Sequence, residues 1–583
     1  MSLENVIESD VLIIGGGMAG VFAAINAKEQ GCEVAIVDKG YVGKTGATHF
    51  SEGELMVFNP EWGHELKPRL DIIAKKGEYL NNPEWSEIVL KESYERYQDL
   101  ISWGVKFYEE DGSLFIYRTG IWEIVKILHR KIAPLLRKKA LDCDIKILDR
   151  IMVSELLKQD GEVAGVIGFH TTSGDLCIIK AKATVIAAGG SSFKTVNKPT
   201  HYWTSDGEAM AYRAGVEIIS KESKFLGGWV FRSSVTPVSI TESVVSSKES
   251  SKIGEPIDIL ARYPSFRGDG YSLKISPSIN AEGGPVLSPA WEAHCGRAPV
   301  YIDLDSITPD QMEIMQRHLK VSGTQELEKI GFDITQKGKL QYSPGAVYVA
   351  NPIHGGSGIC PVNKDCATAL PGLFASGDSC GTMASGAGYA GFGFGLMHAA
   401  VTGARAGKGA ALYALKTKKP IMDEEELGKV KNIMLDPMER KGGFSPKWVT
   451  QQLQNIMIPY YIWQIRHGER MQAALTMVDF LRGNLLPKIM AKDPHELRLA
   501  QETKNMVLNA EMMLRSAIFR TESRGAHFRE DYPRRDDPEW LAWVKVKDEG
   551  GRMKVIKEPL PKEWWPDLSE PYEERYPRMF PGE

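Results

Sequence analysis

"SDVLIIGGGMAGVFAAI", residues 9 to 25, is the stretch on which the fold turns. Its apolar run Val11 to Ile14 has the length and branching of a buried strand, and it leads straight into Gly15, Gly17 and Gly20 in G-x-G-x-x-G spacing. A helical pattern follows in "VFAAINAKEQG" (21–31), and a second strand in "CEVAIVDK" ends at Asp38. In such a strand–turn–helix unit each glycine has a physical task. Gly15 makes the tight turn, Gly17 lets backbone approach a pyrophosphate, and Gly20 lets the helix pack on the strand. Phosphate then meets the free N–H groups at the positive end of the helix. Asp38 stands where an acid accepts a hydrogen bond from a ribose hydroxyl. The unit predicts a dinucleotide-binding domain of the Rossmann type.

A second G-x-G-x-x-G, at Gly386, Gly388 and Gly391 in "SGAGYAGFGFG" (385–395), fails the same test. The residues before it, "GDSCGTMAS", are small and polar rather than an apolar strand, and no acidic residue or second strand follows at the required distance. It is not a dinucleotide fingerprint. Two further apolar strands end in glycine, "KATVIAAGGSS" (182–192) and "PGLFASGDSCG" (371–381), and both would bring tight turns to the edge of one ligand.

At 583 residues the chain exceeds a single core and splits into several domains. Its 43% hydrophobic and 25% charged residues, with net charge −4, are ordinary for a globular protein and give no basic excess for nucleic acid or an anionic membrane. Seven cysteines are odd in number and too sparse for a disulfide scaffold, which fits reduced thiols. No C-x-x-C occurs, and His294, Cys295, His354, Cys360 and Cys366 follow no zinc spacing, so no metal site is expected. The N-terminus lacks the pattern of a signal peptide and no apolar run is long enough for a transmembrane span, so the expected location is cytoplasmic.

These pieces, in this order, resemble the flavoprotein subunits of the succinate dehydrogenase/fumarate reductase family, which also includes L-aspartate oxidase and the adenylylsulfate reductase flavoprotein. "GGGMAG" with Asp38 matches the family's FAD start, and "GKTGAT" (43–48) its flavin-contacting loop. "TSDGEAMAYRAG" (204–215) matches T-G-D-G-x-x-M-A-x-x-A-G, and "GLFASGDSCG" (372–381) matches G-L-Y-A-x-G-E with Asp378 in the acidic position. "RTESRGAHFREDYP" (520–533) matches the C-terminal signature almost residue for residue.

The resemblance implies an α/β Rossmann-like FAD-binding domain with an inserted α+β capping domain and a helical C-terminal domain. The expected division is FAD domain 1–221, capping domain 222–345, FAD domain again 346–415, helical domain 416–530 and an extended, irregular arm 531–583. FAD contacts would fall on Gly15, Gly17, Gly20, Asp38, Lys39, Thr45, Gly46, Val153, Gly189, Asp206, Gly377, Asp378, Gly391, Gly393 and Phe394. The second glycine motif would be the loop beside the isoalloxazine ring. An electron-transfer partner (an iron–sulfur or flavoprotein subunit) and assembly into a homo- or hetero-oligomer are also implied.

The departures from the family pattern are as informative. Where many succinate dehydrogenases carry a histidine bonded to the flavin, this chain has Gly46, with His49 three residues later, so FAD is expected to be non-covalent. The F-H-P-T histidine falls at or near Gly227, the capping-domain arginine that delivers a proton falls near Ala293 and His294, and the carboxylate-binding arginine is replaced by Tyr389. A guanidinium fork is the natural partner of a carboxylate, and a phenol is not. The expected reaction is therefore hydride transfer between flavin and an activated C–C bond of a small-molecule substrate other than a simple C4 dicarboxylate. His354 and Tyr389 would position it, and His294 or Arg297 would serve as acid or base. Two alternatives stand beside this: sulfur chemistry resembling adenylylsulfate reductase, since "PIHGGSG" resembles its S-H-S-G-x-x-G loop, and an electron-transfer subunit with a vestigial pocket.

Overall fold

A computed structural model describes residues 4–51, 53–110, 112–114, 116–119, 122–128, 132–195, 200–223, 354–391, 393–420, 424–576 and 580–583. Between 224 and 353 it describes His294 and the short strands 256–257, 266–268, 271–273, 300–303, 339–341 and 350–351. The proposed capping domain therefore lies almost wholly outside the described residues, as do Gly227, Ala293 and Arg297.

The opening stretch folds as its pattern requires. Strand β1 (Glu4–Ile14) is followed by helix α1 (Met18–Glu29) and strand β2 (Val34–Asp38). β1 sits at the centre of a seven-stranded sheet, parallel to β2 on one side and to Leu176–Ile186 on the other. Val11, Leu12, Ile13, Val34, Ala35 and Ile36 are all buried, as near-continuous apolar runs are when both faces of a sheet are covered. Beyond Leu176–Ile186 the sheet turns antiparallel through Glu162–His170 and Ile151–Gln159, while Leu373–Ala375 returns to pair in parallel with Leu176–Ile186.

The helix Phe394–Ala414 covers one face by lying against α1. The approach is close enough that a Cβ on Gly403 would lie 2.4 Å from Ala19 O, and one on Gly407 would lie 2.0 Å from Ala23 O. Glycine four residues apart is what permits that crossing.

The helical domain is present as expected. Pro446–Met457, Gly468–Phe480 and the 26-residue helix Pro494–Phe519 enclose a core of Trp463, Met471, Leu475, Met506 and Leu514. Asp493 caps the long helix by accepting the Glu496 N–H at 2.8 Å.

The expectation of an irregular arm over 531–583 needs correction. Ala542–Glu549 and Arg552–Pro559 form a β-hairpin whose first strand pairs with Ile218–Ile219, which in turn pairs with Gly358–Ile359. Gly550 and Gly551 make its turn with φ of +63° and +82°, the primed-turn geometry that matches strand twist. The alternation in "AWVKVKDEGGRMKVIKEP" carries that signal, and the Pro- and Trp-rich flanks obscure it. The hairpin thus extends a sheet whose other strands, Ile218–Ile219 and Gly358–Ile359, lie on either side of the proposed capping segment in sequence.

Candidate functional site

The parallel register aligns three strand ends. Ile14 pairs with Ile186 and Ile186 with Ala375, so the turns at Gly15–Gly17, Gly189 and Gly377–Asp378 open on one edge of the sheet. This is the crevice outside the carboxyl ends of strands where open α/β sheets hold their ligands.

Packing accounts for two of the fingerprint glycines. A Cβ on Gly15 (φ +109°) would lie 2.3 Å from Ala187 O, and one on Gly20 would lie 1.9 Å from Gly15 O. Gly17 N-caps α1 with no side-chain cap, and Thr48 Oγ1 accepts the Met18 N–H at 3.0 Å. With only the Met18 N–H taken by a side chain, the helix N-terminus still presents N–H donors and positive potential, the pairing a pyrophosphate needs. Asp38 spends much of its carboxylate on the chain itself. It accepts from Gly16 N–H at 2.9 Å, Gly40 N–H at 2.7 Å and the Thr45 hydroxyl at 3.2 Å, and so locks the turn against β2.

Lys39 and Asp206 are brought together instead of standing open to solvent. Lys39 Nζ donates to Asp206 Oδ2 at 2.7 Å, to Glu502 Oε1 at 3.1 Å and to Thr204 Oγ1, which uses all three ammonium protons. Asp206 also accepts from Asn505 Nδ2 at 2.9 Å. Both residues therefore tie the sheet domain to the long helix of the helical domain. Val153 is buried in strand Ile151–Gln159 opposite Gly168. Gly46 has φ +83° and ψ 179°, a region that is essentially glycine-only, and His49 is an exposed neighbour. A flavin-bonded histidine at position 46 would have to leave that conformation.

At the other end of the edge stands His354. Its Nδ1 lies 2.7 Å from Asp378 Oδ1, its ring centroid 5.4 Å from that of Tyr389 and 6.1 Å from that of Trp203. Burial works against protonation of the ring, but the Asp378 carboxylate outweighs it and holds the His354 pKa above the ordinary value; the same pairing holds Asp378 low. Polar contacts beneath fix the loop. Ser385 Oγ donates to His354 O at 2.8 Å, and Thr382 Oγ1 donates to Gly355 O at 3.1 Å and lies 2.9 Å from His398 Nε2. Burial pushes His398 down to about 4, so it is a neutral support. Gly395 is required here, because a Cβ there would lie 2.9 Å from His354 Cγ.

Tyr389 has a local task as well. Its hydroxyl oxygen accepts the Gly395 N–H at 3.2 Å in the first turn of Phe394–Ala414, a helix whose N-cap, Gly393 at φ +77°, offers no side chain. The close approach that the second glycine motif permits is to protein backbone. A Cβ on Gly388 would lie 2.1 Å from Lys76 O, one on Gly386 2.8 Å from Gly77 O, and one on Gly393 2.4 Å from Met56 N. Gly391, at φ +150°, faces Met56 and Trp122.

Trp203 is a site residue that pattern reading missed. It is buried, its Nε1 finds no acceptor among the described residues, and a Cβ on Gly189 (φ +76°) would lie 3.3 Å from that nitrogen. The hydroxyls of Ser191 and Ser205 are likewise buried without partners among the described residues. Unmet donors beside a glycine-lined helix N-terminus fit FAD, whose phosphates and ring heteroatoms supply acceptors. The signal for Trp203 was its place immediately before Thr204 and Asp206; nothing in a single sequence marks an unsatisfied indole.

His294 is placed elsewhere. Its Nε2 lies 3.0 Å from Glu530 Oε2 and its ring packs edge-on to Tyr460, both in the C-terminal half of the chain. Arg297 lies outside the described residues. No cluster of metal-ligating side chains occurs among the described residues, and none of their helices is long and apolar enough to cross a membrane.

Comparison with known proteins bears on this geometry. Residues 10–237 match an FAD binding domain, and residues 450–576 match the fumarate reductase flavoprotein C-terminal domain. The chain is 30% identical over 564 residues to an uncharacterized FAD-dependent oxidoreductase of Methanocaldococcus jannaschii, covering 93% of this chain and 96% of that protein. It is 28% identical over 560 residues to one chain of the fumarate reductase (CoM/CoB) of Methanothermobacter marburgensis, covering 91% and 96%. Among solved structures, Mycobacterium smegmatis Sdh1 in complex with UQ1 superposes with TM-score 0.78 at 25% identity over 96% of this chain and 95% of that one. Adenylylsulfate reductase from Archaeoglobus fulgidus, at 21% identity and TM-score 0.78 over 96% and 97%, shares the fold.

Proposed function

From its membership of the fumarate reductase/succinate dehydrogenase family of FAD-dependent oxidoreductases, we propose that this chain works on an activated C–C bond in a substrate other than a simple C4 dicarboxylate. Bound FAD supplies the two-electron hydride chemistry; the protein supplies binding, orientation and proton management. Gly15, Gly17, Gly20 and the N-terminus of α1 would hold the pyrophosphate. Gly46, Gly189, Gly377 and Trp203 would line the rest of the cofactor.

The observation that carries the substrate reading is Tyr389. In the position where the family's arginine binds a carboxylate stands a phenol whose oxygen already accepts from Gly395, with Trp203 and Tyr389 as two aromatic walls around His354. Such walls favour a planar or larger, less charged substrate, an enone, a thioester or an aryl acrylate, on which His354 hydrogen-bonds a carbonyl oxygen. An electron-transfer subunit, iron–sulfur or flavoprotein, would exchange electrons with it, since the chain has one dinucleotide fingerprint. The sulfur-chemistry alternative draws on the His354 loop alone, while the C-terminal match is to fumarate reductase flavoproteins.

The test is turnover with dithionite-reduced viologen. Fumarate is expected to react about a hundredfold more slowly than the best of an α,β-unsaturated panel, the scale of a lost guanidinium–carboxylate interaction of about 3 kcal/mol. Fumarate as the best substrate would refute the reading.

A further inference from the structure

The residues from Thr200 to Asp206 tie together four segments that face the crevice. Tyr202, at the end of the short helix Thr200–Tyr202, stacks on Phe50 beyond the Gly46 loop, with ring centroids 5.2 Å apart and an interplanar angle of 8°. Thr204 accepts from Lys39 Nζ and donates to Asp206 Oδ2 at 2.8 Å, at the start of helix Asp206–Arg213. Trp203, between them, packs edge-on to His354 and lies over Gly189, where a Cβ would come within 3.3 Å of Nε1 and 3.4 Å of Cδ1. The Gly189 turn is itself fixed, since Ser379 Oγ donates to Gly189 O at 2.8 Å.

The indole so held is only 4% exposed, and its Nε1–H has no acceptor among the described residues. An indole nitrogen can donate and never accept, so the group needs an acceptor from outside the protein. A buried donor left unmet is costly, and folded proteins keep few of them.

We propose that Trp203 donates this N–H to the isoalloxazine ring of FAD and binds the reduced ring more tightly than the oxidised one. The inference rests on the reading of the crevice as the FAD site with Trp203 in its lining. Strand order points to the ring half of the cofactor. Asp38 closes β2 on one side of β1, and Gly189 follows Leu176–Ile186 on the other, with the N-terminus of α1 between them. A ribose at Asp38 and a pyrophosphate at α1 leave the isoalloxazine half for the Gly189 side.

Two added electrons increase the negative charge on the acceptor atoms of the ring. A hydrogen bond to a charged acceptor is roughly twice as strong as one to a neutral acceptor. A donor already fixed by Gly189, His354 and the contacts of Tyr202 and Thr204 favours whichever redox state accepts better. Trp203 therefore raises the flavin midpoint potential and poises the cofactor toward its reduced form.

The test compares the wild type with Trp203→Phe, which keeps an aromatic ring and removes the N–H. In protein labelled with nitrogen-15 at the indoles, the variant identifies the Trp203 resonance among those of the 13 tryptophans. That resonance should move when FAD is added to apoprotein, and move again when dithionite reduces the flavin. The midpoint potential, read spectrophotometrically against a reference dye, should be lower in Trp203→Phe. The expected drop corresponds to a tenfold weaker preference for reduced FAD, about 30 mV for a two-electron couple. A structural role alone would weaken binding of both redox states equally and leave the potential in place.

A resonance unmoved by FAD shows that the cofactor does not meet the indole, and overturns the proposal. A resonance that moves on binding, with a midpoint unchanged or raised in the variant, assigns the bond to the sugar–phosphate part and overturns the ring assignment. Should Trp203→Phe fail to fold or to hold FAD, Trp203→Tyr supplies the resonance assignment. A wild-type indole spectrum that reduction leaves unmoved then overturns the proposal by itself. Fumarate as the best substrate would remove the substrate reading and leave this assignment standing, because neither measurement uses a substrate.

Discussion

Glu502 is the point at which the helical domain is held to the nucleotide crevice, and Glu502→Gln is the change that measures how firmly. The carboxylate is buried and accepts from Arg498 Nη1 at 2.6 Å, Lys194 Nζ at 2.8 Å and Lys39 Nζ at 3.1 Å. At an effective dielectric of about 20 each contact is worth roughly 5–6 kcal/mol gross, against a desolvation cost of several kcal/mol for the buried ion. Removing one partner of such an arrangement typically costs about 3–5 kcal/mol, because the cations left behind repel one another.

Burial alone would raise the Glu502 pKa, but Lys39, Lys194 and Arg498 overcome it and hold it far below the carboxylate range. A depressed folded-state pKa contributes stability that is fully present above the unfolded value of about 4.3 and is lost as pH falls toward the folded one. Thermal release of FAD, followed by its fluorescence, should therefore occur on the order of 5 °C lower in Glu502→Gln at neutral pH. The gap should hold down to about pH 5 and narrow below about pH 4. Melting within about 1 °C of the wild type, or a gap that widens on acidification, refutes the argument.

Other changes test neighbouring steps. Gly20→Ala should abolish FAD retention, since its methyl would sit 1.9 Å from Gly15 O, whereas Gly17→Ala meets only Thr48 Oγ1 at 3.1 Å on the protein side and should still yield folded protein; equal folding yields would contradict this. Acid precipitation should leave the yellow colour in the supernatant, because Gly46 occupies a conformation closed to histidine; colour in the pellet would show a covalent bond elsewhere. Tyr389→Phe removes the acceptor of the Gly395 N–H and should lower stability by about 1 kcal/mol and turnover by about tenfold, read from unfolding and steady-state kinetics together.

Local chemistry was enough for part of this molecule. The strand–glycine–helix unit at 11–31, with Asp38 closing the next strand, could be read residue by residue, because each feature acts within a few positions of itself. Rejecting the second G-x-G-x-x-G needed no more than the absence of a flanking strand, and the packing of Gly386 and Gly388 on Lys76–Gly77 gives those glycines their reason. The hairpin at 542–559 was legible but overlooked, its alternation hidden among prolines and tryptophans.

The partners of charged and polar groups were not legible at all. Lys39 and Asp206, both assigned to the cofactor by motif, meet each other, and Lys39 also meets Glu502, hundreds of positions away in sequence. His354 was visible as a histidine between glycines, but its Asp378 partner, the neutral His398 beneath it and the unmet indole of Trp203 exist only once four separate segments converge. A motif records which backbone conformations and side-chain types a stretch can offer. Distance between segments, and with it the dielectric, the pairing and the protonation state of each group, is set by packing of the whole chain.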